Sequence, residues 1–227
     1  MQFDYQIQIS ANAIISFADS YAKNKKGKEN EQPESEPTSS LTKICSTLRF
    51  LYGQIWNNNT SKYMIHIPKL LRSVVALSRF KVGIHLREDA NQQSLKVRSS
   101  SRDCLSQIQH YGDAQIQTEL VFNQEYGRMM SIVISTAGGK GEEQHKEILN
   151  GLMRICNFLR DLHEGRNYQP SFQPLPLLAR RTEEQIEEEG ANEEIDAQIN
   201  NNGYYGNVIY LANLAKAVIL NHFIHNN

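Results

Sequence analysis

The sequence predicts an α+β fold: a mostly antiparallel sheet of four or five strands backed by helices, with a helical C-terminal extension. Three observations carry that expectation. Phe80, Val82, Ile84 and Leu86 alternate with Lys81, Gly83, His85 and Arg87, the period-two signature of a half-buried strand. Ile116, Thr118, Leu120 and Phe122 alternate in the same way, and after a turn near Glu125 to Gly127 comes the apolar run MMSIVIST. Ile148, Leu152, Ile155, Cys156, Leu159 and Leu162 then draw the stripe of a long amphipathic helix over 142–163, suited to covering one face of such a sheet.

The elements follow in chain order. Residues 2–9 set Phe3, Tyr5, Ile7 and Ile9 against Gln2, Asp4, Gln6 and Gln8, which predicts an edge strand. Ser10 or Asn12 then caps a helix carrying Ile14, Ile15, Ala18 and Tyr21. Residues 23–40 contain no aliphatic or aromatic side chain and cannot offset the entropy of ordering, so they predict a flexible insertion. Thr42 opens a helix with Ile44, Leu48, Leu51, Tyr52 and Ile55, which Asn57, Asn58 and Asn59 end. Pro68 suits the first turn of the next helix. A polar turn at 89–92 leads from the first strand to a partner around Leu95 and Val97, making a hairpin over 80–98. Ser101 begins a helix with Cys104, Leu105 and Ile108, and the second hairpin spans 114–136.

Beyond the long helix, Gly165 supplies a stop, and Pro170, Pro174 and Pro176 hold the following piece extended. An acidic helix from Thr182 to about Asn200 is interrupted at Gly190, and an apolar helix closes the chain. The organisation expected is one α+β domain at 1–176 with its insertion at 23–40. A helical extension at 177–227 packs on that domain or on a partner.

Composition narrows the class. With 227 residues, 40% of them hydrophobic, and a formal net charge of -1, the chain is neither disordered nor fibrous. Three cysteines without a CxxC argue against a disulfide framework or a structural zinc site and fit a reducing compartment. The N-terminal decapeptide has an acid at Asp4 and no apolar core of signal length, so an intracellular, cytoplasmic protein is expected. The C-terminal apolar stretch is broken by Asn207, Asn213, Lys216, Asn221, His222 and His225, which excludes a membrane span. Charge is unevenly spread: bases dominate from Lys43 to Arg102 and acids from Glu183 to Asp196. The two runs could complement each other within the molecule or across an assembly.

Motifs for catalysis are sparse. The run STAGGKGEE resembles a phosphate loop only in its glycines, because Gly141 follows Lys140 and acids fill the first helical turn; a plain strand-to-helix loop is expected. The histidines lack metal spacing, and Cys45, Cys104 and Cys156 sit on helix stripes as small core residues. No catalytic, cofactor or metal residue is assigned. The function expected is therefore a non-enzymatic assembly subunit that binds a protein partner, or forms a homo-oligomer, through an apolar C-terminal helix. Leu211, Val218, Ile219 and Phe223 are its contact residues, because a helix apolar on most sides needs cover on most sides. The alternative is a nucleic-acid-binding protein that uses the basic 62–102 surface through Lys81, Arg87, Lys96 and Arg98. A second alternative is an enzyme whose site is assembled from distant residues.

Overall fold

The computed structural model describes residues 2–27, 38–58, 63–64, 66–82, 88–136, 142–168, 170–200 and 206–224. Of these, 85% are helical and none lies in a strand, so the fold is all-helical and the expected antiparallel sheet is absent from them. The chain divides into two compact units, Met1–Gly112 and Asp113–Asn227. The boundary expected between 176 and 177 falls instead in the first turn of a helix.

The first unit holds α1 (Gln2–Gly27), α2 (Thr38–Asn58), α3 (Leu70–Ser78) and α4 (Glu88–His110). In α1 the residues expected to share a strand face divide: Ile7 is buried while Tyr5 and Ile9 are exposed. The buried set is Ile7, Ala11, Ile14 and Ala18, a helical spacing of four, three and four. Lys23 to Gly27 belong to α1 and residues 38–40 to α2; the rest of the expected insertion, 28–37, lies outside the described residues. Leu41, Ile44, Cys45, Leu48, Leu51 and Ile55 form the buried stripe of α2.

The expected hairpin over 80–98 is replaced by a turn and a helix. Phe80 and Lys81 lie in the turn after α3, residues 83–87 are outside the described set, and Leu95 and Val97 are inside α4. Serines conceal that helix from a hydropathy reading. Ser94 and Ser101 donate their hydroxyls back to the Ala90 and Val97 carbonyls at 2.8 Å, which satisfies them internally. Their small side chains can then be buried against neighbouring helices. Glu88 and Asp89 in the first turn and His110 in the last complement the helix dipole. α4 packs against α2 and α3, and α1 packs against the same two. The Cys45 thiol meets the Ser100 hydroxyl and Trp56 meets Tyr111 edge-on at 6.4 Å, so α2 and α4 run parallel.

The second unit begins with α5 (Ala114–Thr118), capped by Asp113, whose carboxylate accepts the Ile116 N–H at 3.2 Å. One π-helical turn, Glu119–Asn123, continues it. Then come α6 (Tyr126–Thr136), α7 (Glu142–Glu164), α8 (Pro176–Glu188), α9 (Ala191–Ile199) and α10 (Gly206–Ile224). The expected hairpin over 114–136 is thus three helical segments. Ile116, Gln117, Leu120 and Val121 are buried, an i, i+1, i+4, i+5 pattern, whereas Phe122 is 54% exposed. In α6 the buried residues Met129, Met130, Val133 and Ile134 repeat that pattern.

α7 is central, touching α6, α8 and α10. Tyr126 packs edge-to-face on Phe158 at 5.0 Å in its core. At Gly151 a Cβ would stand 3.1 Å from Val133 Cγ1, so α6 and α7 approach closely there. Gly165, at φ +76°, ends α7 in the left-handed region. The proline-rich segment after it folds back rather than running extended: Arg166 and Phe172 pair their backbones, and the Leu175 N–H donates to the Leu162 carbonyl. The loop run at 137–141 is outside the described residues. No described helix is long and apolar enough to cross a membrane.

Candidate interaction surface

α10 owes its position to two neighbours. Val208, Ala212, Ala215 and Ile219 form its buried stripe, facing α7 and α9. On one edge the Cys156 sulfur of α7 lies 3.9 Å from the Leu211 carbonyl oxygen. On the other edge the Lys216 ammonium pairs with the Asp196 carboxylate of α9. The acidic segment contributes to this cover, since α9 packs on α10 and buries its own Ala191 and Ile195.

What remains outward is a short uncharged face. Tyr210 is 68% and Leu214 38% exposed, and Leu211, Ala217 and Val218 are half-buried beside them. Of the four expected contact residues, Leu211 and Val218 thus sit at the edge of the open face, whereas Ile219 is buried inside the unit. The Phe223 side chain lies outside the described residues. Tyr210 and Leu214 were missed. Their signal is an apolar stripe opposite the buried one, and it becomes readable only once the buried stripe is located.

Part of the acidic run is paired with arginines of the same unit. Glu184 pairs with Arg180 and Arg181, and Glu188 and Glu189 pair with Arg128 at 2.7 and 2.8 Å. The Glu183 carboxylate sits 2.7 Å from His163 Nε2 with both side chains largely buried. Arg128, Arg180 and Arg181 all belong to the second unit.

Of the four cations expected to form a nucleic-acid face, Lys81 and Arg98 are engaged within the first unit. Lys81 is only 6% exposed, its ammonium 5.4 Å from the centre of the Phe80 ring and its backbone N–H donating to the Tyr21 hydroxyl. The half-buried Arg98 donates from Nη1 to the Phe80 carbonyl at 3.0 Å. Lys96 is exposed, and Arg87 lies outside the described residues.

Burial shifts several groups with nucleophilic potential towards their protonated forms. It pushes the Cys104 thiol up to about 12 and the Cys156 thiol to about 11, and it also raises Cys45. The Tyr126 phenol is likewise raised to about 12. Arg166 is depressed by burial; its guanidinium lies 4.5 Å from the centre of the Phe172 ring and 5.2 Å from that of Tyr168, and its Nε donates to the Pro170 carbonyl. That arrangement clamps the loop after α7. Among the described residues no group of three His, Cys, Asp or Glu could hold a metal ion. Comparison with protein-family models, with curated proteins and with solved structures gives no match in any of the three.

Proposed function

We propose that this chain is a non-enzymatic interaction subunit that docks on a protein partner through the outward face of α10. The observation that carries the reading is the pairing of Tyr210 and Leu214, exposed on a helix whose only charge over 207–218, Lys216, is turned to the opposite edge and neutralised there. A solvated helix face is ordinarily polar, and large apolar groups in an uncharged setting gain most from being covered. Covering a tyrosine and a leucine in full contributes on the order of 1.5–3 kcal/mol each, enough to anchor a small interface. The nucleic-acid reading draws on fewer groups, since Lys81 is buried and Arg98 serves a backbone carbonyl.

Replacing Leu214 by a photo-crosslinking amino acid tests the reading in cells that express the full chain. The exposed Glu187 serves as the control position. A discrete covalent adduct is expected from position 214 and not from 187. Equal, diffuse labelling at the two positions would remove the case for α10 as a docking element.

A further inference from the structure

The same helix pair says what covers it. On α10 the outward residues Tyr210, Leu211, Leu214, Ala217 and Val218 carry no charge, so two copies can face each other there without electrostatic cost. Reversed about Leu214, the stripe is complementary to itself in size. Tyr210 comes opposite Val218 of the second copy and Leu211 opposite Ala217 of the second copy, a large side chain against a smaller one each time.

α7 carries a second, independent feature. Lys146 and Glu164 are both exposed, opposite in charge and about five helical turns apart, which returns them to the same side of the helix ~27 Å from each other. Glu164 also ends α7, where the helix dipole disfavours a carboxylate, so its own helix does not account for it. Reversing α7 about Ile155, midway between the two, sets Lys146 against Glu164 of the second copy, and symmetry makes that pair twice. Ile155 lies beside the Cys156 that meets α10 at the Leu211 carbonyl, about one turn from Leu214.

Resting on the docking role of α10, we infer that the partner is a second copy of this chain, paired about a two-fold axis with α7 and α10 each facing the other copy antiparallel. Two adjacent helices of this length cover roughly 500 Å² per copy. That is below the ~800 Å² per partner of a standard interface, which places the pairing among weak, concentration-dependent ones.

Sedimentation equilibrium of the full chain tests the pairing. The wild type is expected to show a monomer–dimer equilibrium that Leu214→Asp abolishes. Lys146→Glu and Glu164→Lys should each weaken it about tenfold, because each replaces two rim attractions by two repulsions. The double variant Lys146→Glu/Glu164→Lys should restore dimerisation to within about threefold of wild type. Both substitutions place charges in the sense the α7 dipole favours, so circular dichroism should show every variant folded. Loss of the dimer in Leu214→Asp without rescue by the charge swap would overturn the antiparallel pairing and leave docking through α10 standing. A wild type that stays monomeric at hundreds of micromolar, while position 214 still crosslinks to a different protein, would overturn the second copy as partner and likewise spare the docking role.

Discussion

Gly53 and Gly127 both lie in helices, yet a Cβ added to each meets opposite surroundings. At Gly53 nothing stands within 4 Å. At Gly127 the new carbon would be 2.8 Å from the Thr182 carbonyl oxygen and 2.9 Å from Gln185 Oε1, because α6 and α8 approach backbone to side chain there. Gly53→Ala removes conformational freedom from the unfolded chain and blocks nothing, so it should stabilise by about 0.5–1 kcal/mol. Gly127→Ala gains the same helix propensity but must push apart a fixed backbone contact, and should destabilise by about 1–3 kcal/mol. Urea unfolding of the two variants measures both. Equal shifts would mean that α6 and α8 do not meet at Gly127.

The contact at Gly127 belongs to a larger device that joins the π turn to α6 and α8. Gln185 donates from Nε2 to the Val121 carbonyl at 2.8 Å and accepts the Gly127 N–H at 3.1 Å, so one buried amide serves two backbone groups. The second of them lies in the first turn of α6, where no intrahelical partner exists. Gln185→Leu fills the volume but leaves both groups buried and unmet, which should cost about 2–5 kcal/mol in urea unfolding. A loss below 1 kcal/mol would show that water takes over. None of this coupling was legible in the sequence, and the physical reason explains the absent sheet as well. Ile116 and Leu120 are four apart, and so are Gln117 and Val121, so an apparent alternation already contains a helical face. Which period prevails is decided by α8, some sixty residues downstream. The long stripe of α7 was legible because its period repeats over about four turns. On α10 the sequence showed an apolar excess, but the open side depends on α7 and α9, so the sequence singled out Leu211 and Val218, at the edge of that side, and not the more exposed Tyr210 and Leu214.

At the scale of the molecule, two compact units meet in sequence at Gly112 and Asp113, and each has a core of its own. Separate cores in one chain remove the basis for a single all-or-none transition, so two steps are expected. The chain offers a built-in way to separate them. Its only tryptophan, Trp56, lies in the first unit, 57% exposed with its ring edge-on to Tyr111 across α2 and α4. Parting α2 from α4 breaks that contact and frees the indole, so Trp56 emission and anisotropy follow the first unit alone. Far-ultraviolet circular dichroism follows the helices of both. In urea titrations at low micromolar protein, the fluorescence transition should therefore be single, while the dichroism curve should have a second component that fluorescence lacks. Gly127→Ala and Gln185→Leu act in the second unit, so they should move that component and leave the Trp56 transition in place. Coincident curves that shift together in both variants would mean that the two units unfold as one cooperative body.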